Sequence, residues 1–407
     1  MPFAQRPLER VVQRLCVDVL AGQVALGERV VDLDHLFDQR AMRLLDAAEI
    51  GGRARRHEEA VGHAMSAFGG QVHRQALLAE CGAQVLDARR QGGRPRLDLA
   101  HWQQRLAPLA ERHGVPGAQL GILRLAGPDA SEDELVVATH GVLNADTGAP
   151  VTPDALFQIG SITKGWTATL VMQLVDEGLA DLDAPVVEVL PELRLADPDV
   201  TKQVTLRHLL NHTSGIDGDV FTDTGRGDDC LERYVELLAE QTQNHPLGAT
   251  WSYCNAGYSL LGRIVERLTG QTWDEALRER LIAPLGLEHT VTLSEEALLH
   301  AVAVGHVTTD GTRSTAPVWQ LPRSLGPAGL VTANAADVLA FARLHLTGGL
   351  AADGTRVLGE ESAAAMVAHQ ADLPDKHSLG DSWGLGWIRF GWDDHRLYGH
   401  DGNTIGQ

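Results

Sequence analysis

Lysine and cysteine are both scarce in this chain of 407 residues. Only three of its 34 basic side chains are lysines, so a lysine inside a motif carries more weight here than in an average protein. The four cysteines form no C-x-x-C pair and have no closely paired histidine, which argues against a disulfide framework and favours a reducing compartment. These cysteines are Cys16, Cys81, Cys230 and Cys254.

Long apolar runs are missing as well. No stretch reaches the roughly 18 apolar residues of a membrane span. Arg6, Glu9 and Arg10 interrupt the first twenty residues, which leaves no apolar core for a secretion signal. The sequence therefore predicts no membrane insertion and a cytoplasmic location.

Positive charge is sparse in the second part of the chain. Residues 101–407 carry 20 Lys plus Arg against 41 Asp plus Glu, whereas residues 1–100 carry 14 Arg against 13 acids. A surface with such an excess of negative charge repels phosphate backbones and anionic lipid headgroups. We therefore expect neither nucleic acid nor a membrane as a partner of residues 101–407.

Residues 1–97 have the spacing of several short helices. Apolar side chains recur at Val11, Leu15 and Val19, without the alternation that is typical of strands. The stretch 91–96, QGGRPR, combines flexible glycines with a proline and indicates a boundary. The prediction is a small all-α segment of unknown role, followed by a second domain at 98–407.

Two patterns in the first segment suggest something more specific, but a plain helical appendage explains both better. Residues 18–30 faintly resemble the opening helix and turn of GntR-type winged-helix repressors, yet no recognition helix follows. His57 and His63 flank two glutamates as in a zinc-protease helix. A six-residue spacing, however, rotates the second histidine by about 240°, away from the face of the first.

The second domain mixes strands with long helices. Its predicted elements are a helix around Leu106 and Leu109, strands at 119–125 and 134–140 joined by a polar connection at 127–129, helices at 161–177, 256–269 and 335–346, and strand-like runs at 384–390 and 395–400. Strands at both ends with helices between them indicate an α+β fold, in which an antiparallel sheet is flanked by helices.

Ser161 and Lys164 stand one helical turn apart at the start of the predicted helix 161–177. At this spacing the amine can reach the hydroxyl, and the positive end of the helix favours both an alkoxide and a neutral lysine. The pattern S-x-x-K alone also describes a capping serine followed by a surface lysine. The scarcity of lysine favours a functional pair.

Two further short motifs follow in chain order. In Y-C-N at 253–255, a phenol and a carboxamide two residues apart can face one cleft, although a turn with a capping asparagine explains this motif alone equally well. In H-D-G at 400–402, a glycine that closes a strand allows a ligand to approach the backbone, although the motif alone is a turn.

The three motifs in this order resemble the signature set of serine β-lactamases and penicillin-binding proteins. The branch that the chain resembles comprises class C β-lactamases, D-alanyl-D-alanine carboxypeptidases and family VIII esterases, whose middle motif is Y-x-N and whose third is K-x-G or H-x-G. Supporting phrases are LRHLLNHTSG at 206–215, GYSLLG at 257–262, PLGL at 284–287 and GLVT at 329–332. The resemblance covers residues from about 100 to 407 and implies a β-lactamase/transpeptidase-like sheet flanked by helices.

The resemblance also implies roles for the matching side chains. Ser161 corresponds to the acylated nucleophile, and Lys164 with Tyr253 to the pair that takes its proton and returns it to the leaving group. Asn255 corresponds to the residue that binds the carbonyl or amide group of the substrate. The HTSG phrase that begins at His212 is expected to be structural, because a histidine and hydroxyl groups can satisfy a buried turn.

The third motif implies the remaining substrate contacts. His400 and Gly402 correspond to the substrate-binding strand, and the backbone N–H groups of Ser161 and Asn403 to the oxyanion hole. Where β-lactamases hold a lysine and a hydroxyl residue, this chain has His400 and the negative Asp401, so anionic substrates should be disfavoured.

The end of the chain is a second departure from the family. The sequence stops seven residues after His400, whereas the family continues with two further strands and a closing helix. The resemblance therefore implies that these C-terminal elements are missing. It also implies that the strand with His400 has an unpaired edge, which would favour aggregation.

The leading hypothesis is a serine hydrolase that acts through an acyl-enzyme on a small ester or amide, in the manner of an esterase. A D-alanyl carboxypeptidase or a β-lactamase is the alternative among enzymes, although work on peptidoglycan usually requires export. A non-catalytic penicillin-binding-like module for binding or sensing is the alternative of another class, and the intact Ser161, Lys164 and Tyr253 argue against it.

The chemistry of the leading hypothesis requires no metal and no organic cofactor. Substrate walls are expected at 217–229 and 304–327, while the natural substrate and the oligomeric state stay open.

Overall fold

The computed structural model describes residues 97–126, 132–309, 311–376, 379–392 and 395–407, together with two short strands at 15–18 and 23–26. The strands are β1 Leu15–Asp18, β2 Gln23–Leu26, β3 Gly117–Arg124, β4 Glu134–Asn144, β5 Ala149–Pro150, β6 Phe157–Gln158, β7 Thr290–Val291, β8 His306–Thr309, β9 Thr312–Thr315, β10 Thr332–Ala333, β11 Ala371–Asp372, β12 Ser382–Trp383, β13 Ile388–Trp392 and β14 His395–Asp401. One antiparallel sheet has the order β11-β12-β13-β14-β2-β1-β3-β4-β5, and two small sheets have the orders β6-β10-β7 and β8-β9.

The helices lie on both faces of the large sheet. They are α1 Leu99–Arg112, α2 Thr163–Asp176, α3 Pro198–Gln203, α4 Leu206–Leu210, α5 Cys230–Leu237, α6 Asn255–Thr269, α7 Trp273–Leu277, α8 Ser294–Ala297, α9 Gly326–Gly329, α10 Ala335–Leu346 and α11 Glu360–Val367. A 3₁₀ turn, Gly160–Ile162, precedes α2, and a π-helical turn, Arg278–Ile282, follows α7.

Strand β3 is buried on both of its faces, which identifies it as a central strand. Trp102 and Leu106 of α1 pack on one face, against side chains that include Leu120. On the other face Gly121 lies against Leu339 of α10, in a position where a side chain would meet that leucine. The sheet is therefore a middle layer between α1 and the larger helical body.

Helix α2 runs through the middle of that helical body. Every residue from Thr163 to Leu174 is buried, so the helix has no solvent-facing stripe. Trp166 stacks on Phe341 of α10 with ring centroids 4.0 Å apart. This contact packs the first turn of α2 against α10.

Most of the elements predicted for 98–407 are confirmed. The predicted helix 335–346 matches α10 to the residue, and the helix predicted at 256–269 begins one residue earlier. The strand predicted at 384–390 begins only at Ile388, because Gly384 N–H donates to Trp387 C=O (2.7 Å) in a tight turn that needs a positive φ at Gly386. The connection predicted at 127–129 lies outside the described residues.

The all-helical prediction for residues 1–97 is wrong where the structure describes that segment. Leu15–Asp18 and Gln23–Leu26 are strands that pair with each other. Leu15 and Val17 alternate with Cys16 and Asp18, a two-residue period that competes with the helical spacing. The rest of the segment, including the patterns at 57–63, lies outside the described residues.

The expectation of an unpaired edge beside the H-D-G motif is also wrong. Strand β14 pairs with β2, so that Gly399, His400 and Asp401 lie opposite residues 25, 24 and 23. Strand β1 pairs in turn with β3. Strands β1 and β2 thus connect the strand of the third motif to the centre of the sheet.

Candidate active site

Ser161 lies in the 3₁₀ turn that leads into α2. Gly160 has a φ of +53°, a conformation that costs glycine little. The turn places the Ser161 hydroxyl 3.0 Å from Lys164 Nζ. The spacing seen in the sequence therefore brings hydroxyl and amine within hydrogen-bond distance.

The amine of Lys164 is completely buried. It donates to Ala328 C=O at 2.8 Å, and it lies 4.7 Å from the ring centroid of Tyr253 and 5.6 Å from that of Tyr258. Burial lowers the pKa of Lys164 well below its ordinary value of 10.5, and Cys254 offsets this only in part. A neutral amine has a free electron pair, so Lys164 can accept the proton of Ser161.

The phenol of Tyr253 is the second group beside the nucleophile. Burial raises its pKa far above 10, and a hydrogen bond with the Ser161 side chain opposes this shift. Tyr253 therefore keeps its proton at neutral pH and can pass it on only when it receives another.

The segment that carries Tyr253 is fixed by His212. Ser252 N–H donates to the His212 carbonyl oxygen at 2.9 Å, and Cys254 N–H donates to His212 Nδ1 at 3.0 Å. His212 is fully buried, and burial together with Lys164 lowers its pKa well below 6.5.

Asn255 is the first residue of α6, but it does not cap that helix. Cys254 Sγ accepts the Gly257 N–H at 3.2 Å and takes the capping role. The Asn255 side chain is partly exposed and has no hydrogen-bond partner among the described residues. Its amide is thus available to a substrate.

His400 points into the same buried cluster from β14. Its Nδ1 lies 2.6 Å from Asp401 C=O, which can only accept, so Nδ1 carries the proton. Burial, together with Lys164, lowers the pKa of His400 to about 3. The His400 ring lies 5.4 Å from that of Trp383 and 6.2 Å from that of Tyr253. This position therefore offers a neutral ring where β-lactamases present a cation.

Two glycines bring the end of β14 against the serine turn. A Cβ atom on Gly160 would overlap Asn403 N, and one on Gly402 would overlap Ile159 O and lie 3.1 Å from Ser161 N. The backbone N–H groups of Ser161 and Asn403 are therefore close neighbours. Backbone N–H groups are donors of the kind from which oxyanion holes are built.

Both loops predicted as substrate walls contact residues in or near the motifs. Gly218 lies against the backbone of Tyr253. Trp319 C=O accepts a hydrogen bond from Gln158, three residues before the nucleophile.

Sequence reasoning missed several contributors to the site. Gly160 had a local signal in the sequence, because a glycine just before a helix often marks a turn with a positive φ. Tyr258 and Trp383 have no local signal, because they meet the site only through tertiary packing.

Groups of three or more His, Cys, Asp or Glu side chains placed to hold a metal ion are absent from the described residues. Within the same residues, no helix has both the length and the apolar character needed to cross a membrane.

Known proteins resemble this chain in sequence. A family model described as Beta-lactamase matches residues 102–407. Penicillin-binding protein 4 of Amycolatopsis lactamdurans is 50% identical over 313 residues, which are 76% of this chain and 80% of that protein. Esterase EstB of Burkholderia gladioli is 34% identical over 177 residues, 40% of this chain and 45% of that protein.

Solved structures share the fold. D-amino acid amidase from Ochrobactrum anthropi SV3, complexed with L-phenylalanine, has a TM-score of 0.59 and 23% identity, covering 74% of this chain and 89% of that one. The chain therefore belongs to the β-lactamase family of serine hydrolases. The α+β fold that the motifs implied, with its antiparallel sheet flanked by helices, is confirmed.

Proposed function

We propose that this protein hydrolyses small esters or amides through an acyl-enzyme on Ser161. The observation that supports this most strongly is the completely buried amine of Lys164 at 3.0 Å from the Ser161 hydroxyl, because burial lowers the pKa of Lys164 well below 10.5 and so favours its neutral form. A surface lysine would be charged and could not accept a proton. The chemistry needs neither a metal nor an organic cofactor, and the cytoplasmic location stays a prediction from the sequence.

In the acylation step, Ser161 Oγ bonds to the substrate carbonyl carbon while its proton moves to Lys164. The carbonyl oxygen becomes an oxyanion, which the N–H groups of Ser161 and Asn403 stabilise. The bond to the leaving group then breaks. The proton passes from Lys164 through the phenol of Tyr253 to the leaving group, which departs as an alcohol or amine.

In the deacylation step, a water molecule attacks the acyl carbon and gives a proton to the same base. The ester bond to Ser161 Oγ breaks, the serine recovers its proton, and a carboxylic acid is released. Asn255 and the end of β14 hold the substrate through both steps.

The charges around Ser161 favour a neutral substrate. Burial lowers the pKa values of Lys164, His212 and His400, which favours the neutral form of all three. Asp401 contributes a carboxylate, whose charge helps to raise the pKa of Tyr253. We therefore propose an esterase-like preference for uncharged acyl groups.

Penicillin binding is the second candidate, and one comparison favours it. The relative that is 50% identical over 76% of this chain is named as a penicillin-binding protein. In that case β-lactams or peptides would acylate Ser161, and deacylation would be slow.

One experiment separates these candidates. Intact-mass spectrometry after incubation with p-nitrophenyl acetate and with penicillin, side by side, should show a transient adduct and a burst of nitrophenol with the ester. Ser161→Ala should abolish both, whereas Ser294→Ala should not. If Ser161→Ala kept its ester hydrolysis within a few-fold of the parent, the proposed function would be wrong. A stable penicillin adduct without ester turnover would favour the second candidate.

A further inference from the structure

His212 makes two hydrogen bonds that bracket Tyr253. Its carbonyl oxygen accepts from the amide before the tyrosine, and its ring Nδ1 accepts from the amide after it, at 2.9 and 3.0 Å. The Cys254 N–H belongs to the peptide plane that follows Tyr253, and the Ser252 N–H belongs to the plane that joins Trp251 to Ser252. The two bonds therefore anchor the backbone on both sides of Tyr253 and restrict the direction in which its phenol points.

The ring of His212 can do this only as a neutral imidazole. Because Nδ1 accepts from Cys254 N–H, the single ring proton sits on Nε2. A second proton, on Nδ1, would turn the acceptor into a donor that faces another donor. Burial favours the neutral form of the ring, and no carboxylate is among the groups that act on it.

The backbone of His212 is strained to reach both amides. Its φ of +60° is the one positive value at a non-glycine residue among the described residues. Glycine would relieve this strain but would lose the ring acceptor. A strained residue of this kind persists where the surroundings demand it, often beside a functional group.

The ring also packs directly on the phenol that it orients. The centroids of the His212 and Tyr253 rings are 4.5 Å apart, with an angle of 35° between the planes. Trp383 closes the other side of His212 at 4.8 Å. The imidazole is therefore wedged between the tyrosine and the packed core, and it cannot turn away.

We infer that His212 is a positioning residue, which holds Tyr253 in the geometry needed for proton transfer to and from Ser161. This inference rests on the proposed function. His212 does not touch the reacting atoms, so its contribution passes through the tyrosine.

The test uses variants that separate the acceptor from the backbone conformation. His212→Asn tolerates a positive φ and carries an oxygen where the ring carried Nδ1, so we expect its acylation rate to stay within about threefold of the parent. His212→Gly keeps the backbone conformation without an acceptor. It should lose about 10- to 100-fold in kcat, with little change in KM. His212→Ala is the second variant without an acceptor and serves if the glycine variant does not fold.

His345→Asn is the matched control. His345 is another buried histidine, whose pKa burial lowers to about 3, and it packs on Phe341 and Trp387 rather than on the tyrosine. Its replacement should lower the melting temperature but leave kcat unchanged.

A double-mutant cycle decides whether His212 acts through Tyr253. In a Tyr253→Phe background, His212→Gly should change the residual rate by less than about twofold. Equal losses in both backgrounds, or equal losses for the asparagine and glycine variants, would overturn the inference. Failure of the proposed function would show separately, as ester hydrolysis that survives Ser161→Ala.

Discussion

Lys164 is the residue whose chemistry depends most on its surroundings. It is one of three lysines in the chain. Its amine is surrounded by the rings of Tyr253 and Tyr258 and by the Ala328 carbonyl group, none of which carries a negative charge that would stabilise an ammonium ion. Its lowered pKa is therefore a consequence of packing.

The pH dependence of turnover follows from that lowered pKa. The base must be neutral, so kcat/KM should rise with pH through the pKa of Lys164 and reach a plateau well below pH 10.5. Esterase assays from about pH 5 to 10 measure this rise directly. If kcat/KM kept increasing until about pH 10, Lys164 would have an ordinary pKa and would not serve as the base at neutral pH.

The preference of the enzyme for neutral over anionic substrates should depend on Asp401. Asp401→Asn removes a negative charge and should raise kcat/KM for an anionic succinyl ester, relative to the acetyl ester, by several-fold, because like charges repel. Combining Asp401→Thr with His400→Lys should extend the gain. Asp199→Asn, on the exposed side of α3, is the control. An unchanged ratio, or efficient penicillin hydrolysis by the parent, would contradict the proposed charge selection.

At the scale of elements, the site forms where the serine turn, the start of α2 and the end of β14 meet. The contact is made by backbone atoms, and it exists because Gly160 and Gly402 have no side chains. The backbone N atoms of Ser161 and Asn403 are thereby brought side by side.

Gly160→Ala should separate these backbones. Its added methyl group would displace Asn403 N, and we expect a loss of at least about tenfold in kcat. Gly148→Ala is the matched control, since Gly148 also has a positive φ, +70°, but open space around its Cα. Both variants bear the same backbone strain, so equal effects on esterase activity would refute a special role of Gly160.

Local sequence patterns predicted the elements that bury one clear face. Helices α6 and α10 could be located from their apolar spacing, and the three motifs contain Lys164, Tyr253 and His400, whose side chains lie together beside Ser161. The turn at Gly384–Trp387 and the 3₁₀ turn at Ser161 could not, because long-range contacts decide their conformation.

At the scale of the whole molecule, the large sheet combines strands from distant parts of the chain. Strands β1 and β2 lie between β3 and β14, and no local pattern reveals such a pairing. For this reason the sequence suggested helices and an open edge, where the structure has a continuous sheet.

Val24→Pro tests this pairing. Val24 lies opposite His400 in the register of β2 and β14, and proline cannot donate a hydrogen bond within a central strand. We expect a lower melting temperature and weaker esterase activity, since β14, which leads to Asn403, loses its neighbour. Val24→Thr keeps a β-branched residue and should behave like the parent. A proline variant with unchanged stability and activity would refute this strand order.

The distribution of lysines has a practical consequence for chemical labelling. Lys202 and Lys376 have side chains that are 70% and 56% exposed, whereas Lys164 is sealed inside the protein. Among the lysines, amine-reactive dyes and activated resins should therefore attach at only two places, both outside the catalytic cluster. A preparation coupled to a support in this way would keep its nucleophile and its base chemically intact.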